Sequence, residues 1–195
     1  MSQSLLLIFV KNPERGKVKT RLAATVGEER ALQVYQQLLE RTRAVTQPLS
    51  TNKIVYYTPA IQRDDLWSTN YYQKAQQADG DLGERMAQAF EDGFTQGYER
   101  ICIIGSDCYQ LTTAILKDAF AALNAHDLVI GPSTDGGYYL LGMRELHPEL
   151  FRNKHWSTAS VSKDTLATAE QQQLHWYELP TLSDVDKEAD LTTME

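Results

Sequence analysis

Cysteine is scarce: Cys102 and Cys108 are the whole complement of a 195-residue chain. Two thiols so spaced cannot build a disulfide scaffold or a zinc knuckle, and a reducing cytosol would keep them as thiols. Cys102 sits in an apolar run and reads as packing. Cys108 follows an acid in a candidate site loop, which leaves a minor expectation of reactivity. His126, His147 and His175 show no ligand spacing and the chain offers no zinc site, while His155 could serve as a general base or simply sit beside a helix cap. Long apolar runs are missing too. Leu5–Val10 is the N-terminal stretch, far below the ~18 residues a bilayer crossing needs, and it lacks the layout of a signal peptide. Cytoplasmic residence is therefore the default expectation. Neither a Walker loop nor a G-x-G-x-x-G fingerprint occurs, and no nucleophile elbow or triad pattern is visible. Repeats, low-complexity tracts and Pro/Gly/Ser linkers are absent as well, so residues 1–195 are expected to form a single domain.

What is present is an acidic chain with one basic loop. The net charge of −7 argues against a general nucleic-acid or membrane-surface binder. Residues 11–21 nevertheless carry Lys11, Arg15, Lys17, Lys19 and Arg21 against Glu14, a local +4, which leaves −11 for the remainder. Cations concentrated after a buried strand suit a polyphosphate, Arg as a bidentate fork and Lys as a compact charge.

Apolar spacing predicts alternating strands and helices. Strands are expected at 5–10, 53–57, 101–104, 128–130, 138–141 and 174–179. Helices are expected at 28–45, 82–98, 112–124 and 158–171, the last capped by Ser157 or Thr158. Residues 60–80 are weakly patterned and read as a short helix and a connection. This order implies an α/β fold, a three-layer α/β/α sandwich on a mostly parallel sheet, with some antiparallel pairing around Gly131–Gly137. Ligands of such sheets bind beyond the carboxyl ends of the strands, which selects the loops at 11–21, 105–111 and 131–137.

Each loop carries candidate chemistry. Gly105-Ser106-Asp107-Cys108 puts a carboxylate at a strand tip, suited to Mg²⁺ or Mn²⁺ or, more plainly, to a turn or helix cap. In Asp135-Gly136-Gly137 the acid could orient a hydroxyl or contact the metal, although the same triplet makes an ordinary hairpin turn. Of Asp184-Val185-Asp186 only one acid need face the site, and the alternative is an acidic tail beginning a short helix at 188–194. Trp156 in His155-Trp156-Ser157-Thr158 could stack on a ligand or simply pack in the core.

In chain order the motifs K-x-P-x-x-G-x-V-K-T-R-L, G-D-L-G-x-R-M, G-S-D-C, G-P-x-x-D-G-G-Y-Y-L-x-G, W-S-T and D-V-D-x-x-x-D-L span Leu5 to Leu191. Together they resemble a bacterial GT-A-like family of the nucleotide-diphospho-sugar transferase superfamily, related to the 2-phospholactate and molybdenum-cofactor guanylyltransferases. The resemblance implies a transferase with Lys11, Lys19, Arg21 and Arg85 on the nucleotide phosphates. It implies Asp107 and Asp186 on Mg²⁺ or Mn²⁺, and Asp107, Asp135 and Lys19 as catalytic groups. Gly136, Gly137 and Trp156 would lie on the second-substrate side. Implied partners are a nucleotide or nucleotide-sugar and a small-molecule acceptor, with no nucleic acid and no membrane span. Glycosyl transfer leads, nucleotidylyl transfer follows closely, and a non-catalytic nucleotide-binding protein is disfavoured because both Asp107 and Asp186 are present. Three departures stand out. Tyr109 replaces a customary Pro, which should loosen its loop; Lys187 replaces a Thr; and the third strand ends without D-x-D.

Overall fold

The computed structural model describes residues 3–194. Strands β1 (Ser4–Lys11), β2 (Asn52–Thr58), β3 (Gln73–Gln76), β4 (Arg100–Ile104), β5 (Leu128–Pro132), β6 (Tyr138–Met143) and β7 (Trp176–Glu178) form one sheet in the order β3-β2-β1-β4-β6-β5-β7. Helices α1 (Thr20–Val26), α2 (Glu28–Thr46), α3 (Leu82–Thr95), α4 (Thr113–Ala122) and α5 (Val161–Gln171) cover it.

Residues alternate sides along a strand, and β1 shows what that does to the core. Leu6, Ile8 and Val10 pack with Tyr35 and Leu39 of α2 and Leu116 of α4. Leu5 and Leu7 pack instead with Met86 and Phe90 of α3 and Ala169 of α5. A strand apolar on both sides therefore has a helical layer on each face, giving the α/β/α sandwich.

Pairing is parallel from β3 through β4, and β7 runs parallel to β5. Among the described strands only β6 is antiparallel, to both β4 and β5, as the short 131–137 connection requires. Because β6 reverses twice, β5 runs in the direction of β4. The carboxyl ends of β1, β4, β5 and β7 thus share one edge, where the three selected loops lie.

Several expectations need correction. Residues 60–72 contain no helix, and the chain continues into the edge strand β3, whose Gln-Lys-Ala-Gln sequence has no apolar period to betray it. Buried Trp67 anchors that segment, as does Asp65, which accepts from Lys74 Nζ at 2.7 Å. Helix α5 begins at Val161 rather than 158: its cap residue is Ser160, without a side-chain cap bond. Ser157 is left-handed, and Thr158 donates to the His155 carbonyl at 2.7 Å instead. The basic segment is shorter than a full loop, since α1 starts at Thr20 and makes Arg21 helical. Among the described residues no helix is long and apolar enough to cross a membrane.

Candidate functional site

At the shared edge lies an open cleft of about 600 Å³. Of the basic loop, Lys11, Lys19 and Arg21 line it. Arg15 and Lys17 turn outward instead, paired with Glu28 at 3.1 Å and Glu14 at 2.6 Å in exposed contacts of little energetic weight. Asp107 after β4, Arg85 on α3, and Asp184 and Asp186 on the segment that follows β7 line it as well.

Lys19 joins the two acids Asp107 and Asp186. Its ammonium lies 2.8 Å from Asp107 Oδ1 and 3.1 Å from Asp186 Oδ1, and its side chain is only 4% exposed. Burial pulls the ammonium's pKa down, but the Asp107 and Asp186 carboxylates outweigh it and hold Lys19 above its ordinary range. The residue has left-handed backbone (φ 49°), uncommon without glycine, at the cap position of α1.

Both acids of Asp184-Val185-Asp186 line the cleft, which corrects the expectation of one. Residues two apart in an extended segment share a side. The intervening Val185 takes the other, fully buried against Leu22, Ala31 and Val34. The Val185 N–H donates to the Asp107 carbonyl at 2.9 Å, so the chain end is fastened to the β4 loop. Asp184 accepts from Ser133 Oγ at 3.1 Å. Burial, and then the charge of Asp107, push its carboxyl up to about 7.

The structure does not bring every candidate into the cleft. Asp135 closes the β5–β6 turn, its Oδ1 accepting from Gly137 N at 2.9 Å. Gly136 (φ 90°) lies against the Ala159 backbone, and its carbonyl accepts from Ser162 N at 2.9 Å. This turn docks α5, and Asp135, Gly136 and Gly137 are not among the lining residues. Trp156 also stays out: its ring covers Gly83, where a Cβ would meet Cζ2 at 2.4 Å. The Gly80-Asp81-Leu82-Gly83 motif thus receives a local explanation. Asp81 and Glu84 form the capping box of α3, Gly80 takes positive φ, and Gly83 admits the indole. Arg85, next in that helix, donates Nε to the Gly80 carbonyl at 2.9 Å.

Two cleft residues went unread in the sequence. Tyr35 lies at an inward apolar position of α2, yet its hydroxyl accepts from Lys11 N at 2.8 Å, donates to Lys11 O at 3.0 Å, and lies 3.4 Å from Ser106 Oγ. Gln77 lines the cleft with its amide nitrogen donating to the Val10 and Tyr56 carbonyls at 3.2 and 3.0 Å. The one available signal was Tyr at an inward helical position, since a buried hydroxyl must find a partner.

The departures resolve as well. At Tyr109, Arg41 donates to its carbonyl at 3.0 Å and stacks over its ring at 5.4 Å, holding without Pro a loop expected to be loose. Lys187 offers its backbone N–H to Asp190 at 2.7 Å. Cys108 is buried with its thiol pushed up to about 12, so it is no reactive thiol.

Among the described residues no three His, Cys, Asp or Glu side chains converge as ligands. The Asp107 and Asp186 pair nevertheless presents two hard oxygen donors already bridging one cation, the Lys19 ammonium. Mg²⁺-type ions commonly take one or two carboxylates and complete their shell with water and substrate phosphates, so the pair fits.

With that geometry in place, comparison with known proteins decides the family. The profile of a family described as "uncharacterized protein conserved in bacteria" (DUF2064) matches residues 39–158. The chain belongs to the DUF2064 family. This DUF2064 member is 35% identical to a provisionally named nucleotide-diphospho-sugar transferase from Desulfovibrio desulfuricans G20. The two superpose with a TM-score of 0.91, over 100% of this chain and 87% of the other. Two more distant structures share the fold alone. CMP:2-keto-3-deoxy-manno-octonic acid synthetase, complexed with CTP, is 9% identical with a TM-score of 0.57 over 99% of this chain and 97% of its own. Rv0371C of Mycobacterium tuberculosis H37Rv, complexed with manganese, is 12% identical with a TM-score of 0.54 over 99% and 98%. No curated protein matches the sequence. The 35% identical relative, matched over the whole chain, places the DUF2064 member among nucleotide-dependent transferases.

Proposed function

We propose that residues 1–195 form one GT-A-like transferase domain that moves a glycosyl group from a nucleotide-sugar to a small-molecule acceptor, with Mg²⁺ or Mn²⁺ on the diphosphate. The observation that carries this reading is the cleft itself: Lys11, Lys19 and Arg21 line it together with Asp107 and Asp186, and Lys19 is ion-paired to both acids. Its support is the 35% identical relative, which matches the chain from end to end.

In this reading Lys11 and Arg21 bind phosphate oxygens, and Arg85 reaches the ligand from α3. Asp107 and Asp186 hold the cation, whose contribution is to neutralise charge on the departing diphosphate. Tyr35 keeps the Lys11 backbone in register with Ser106, so the phosphate-binding wall and the acid-bearing loop stay at a fixed separation. Asp135, Gly136, Gly137 and Trp156 support the acceptor side from behind, as the frame of the turn and helix rather than as contacts.

A second reading, nucleotidylyl transfer from an NTP with pyrophosphate release, draws on one observation. The tip of β4 carries a single acid, Asp107, instead of a D-x-D pair. The experiment is a product screen: nucleotide-sugars assayed for released nucleoside diphosphate, and NTPs with phosphorylated small molecules assayed for pyrophosphate, each with Mn²⁺. Nucleoside diphosphate is the expected product. Pyrophosphate alone would move the assignment to the second reading, and neither product would overturn both. Asp107→Asn should lower turnover ~100-fold, about 2.7 kcal/mol of barrier.

A further inference from the structure

Lys19 is buried where its helical neighbour Arg21 stays exposed, and its partners are the two acids assigned to the cation. An ammonium 2.8 and 3.1 Å from two carboxylate oxygens stands where a bridging metal ion would stand. The two cations cannot share that space, because charges ~4 Å apart in a partly desolvated site repel by several kcal/mol. Nor can the ammonium remain buried once its counter-charges are taken, since an unpaired charge out of water is costly. Its backbone sits at a junction, left-handed between the basic segment and α1, and the four-carbon stem gives the head reach. The cleft is the open direction, since Lys19 lines it.

We propose that Lys19 is an exchangeable counter-ion: its ammonium fills the space between Asp107 and Asp186 in the ligand-free protein, yields it to a divalent cation, and turns into the cleft toward the phosphate. The inference rests on the metal-nucleotide reading above and adds a coupling to it. Arrival of the metal releases a phosphate-binding group, so the cleft gains its full positive charge only when the cation is in place. No bond is made or broken in the exchange.

The test uses the whole chain and Mn²⁺ alone. Free Mn²⁺ is followed by electron paramagnetic resonance while lysines are acetylated with an amine-reactive ester. Modification of Lys19 is read by peptide mass spectrometry against exposed Lys117 in the same sample. Lys19 acetylation should be slow without metal and rise several-fold with the same midpoint as Mn²⁺ binding, while Lys117 stays constant. In Asp107→Asn the Mn²⁺ dependence should vanish. If Mn²⁺ binds in an Asp107-dependent way and Lys19 remains protected, the exchange is overturned and the metal assignment survives. If no Asp107-dependent Mn²⁺ binding occurs, the exchange and the metal both fall, and nucleotide binding without metal is what remains to be read by thermal shift.

Discussion

Asp184 shows how charge is balanced at this site residue by residue. Three acids, Asp107, Asp184 and Asp186, surround one buried ammonium, and burial, followed by the charge of Asp107, raises the Asp184 carboxyl to about 7. For a carboxyl held above its ordinary 3.8 the sign is a cost. Below the ordinary value both states are protonated and nothing is lost. As pH rises toward 7 the unfolded chain releases its proton first, so folding loses stability, and above 7 the penalty is constant. Asp184→Asn keeps an acceptor for Ser133 and removes the charge. In chelator-treated buffer it should raise stability by on the order of 2 kcal/mol at pH 8 and by nearly nothing at pH 4, measured by urea denaturation. Equal effects at the two pH values would show that the raised carboxyl is not the cause. Cys108 makes a simpler case. With its thiol pushed up to about 12 and its side chain buried, it should react with a disulfide reagent at pH 8 only on unfolding.

At the level of elements, two glycines with the same backbone sign separate strain from clash. Gly136 (φ 90°) would place a Cβ 2.0 Å from the Ala159 carbonyl oxygen, whereas at Gly97 (φ 87°) the same atom meets nothing within 4 Å. Gly97→Ala should therefore cost about 1 kcal/mol, the conformational penalty alone. Gly136→Ala should cost ~3 kcal/mol or more, because backbone of the β5–β6 turn and the start of α5 must part. Chemical denaturation of both variants reads the difference, and equal losses would remove the turn-to-helix docking from the account. The same turn marks the limit of reading from sequence. Buried strands and amphipathic helices announce themselves by period, so β1, α2 and α3 were legible nearly to their ends. Edge strand β3, half exposed and built from Gln and Lys, has no period to find. Helix α1, seven residues without a side-chain cap, is stabilised by packing of Leu22 and not by its own signals. At the site, Lys11, Lys19, Arg21 and Asp107 stand out as charges following strands, whereas Arg85 and Asp186 are singled out by the ordered motifs of the family resemblance. Tyr35 and Gln77 are not, since their polar atoms serve neighbouring backbone and nothing local in the sequence says which.

For the molecule as a whole, the sheet decides that these residues act as one unit. Parallel β1, β4, β5 and β7 deliver the basic loop, Asp107, the β5–β6 turn and the 184–186 segment to a common edge. Those parts come from positions as far apart in the chain as Lys19 and Asp186, which are 167 residues apart yet hydrogen-bonded. A ligand spanning the cleft therefore ties the first strand to the chain end, and its binding energy adds to global stability rather than to one loop. At 100 times its dissociation constant a nucleotide ligand should add ~2.7 kcal/mol. For a chain of this size that corresponds to a Tm rise of roughly 5–10 °C. Mn²⁺ with the correct nucleotide-sugar should give that shift. Lys11→Gln, which removes a cation of the phosphate wall, should cut it at fixed ligand concentration. Lys17→Gln is the control: its ammonium is paired with Glu14 outside the cleft, and the shift should be retained in full. Should Lys17→Gln reduce the shift as much as Lys11→Gln, general attraction to a basic segment would explain binding. The division of that segment into a cleft-facing set and an outward set would then be wrong.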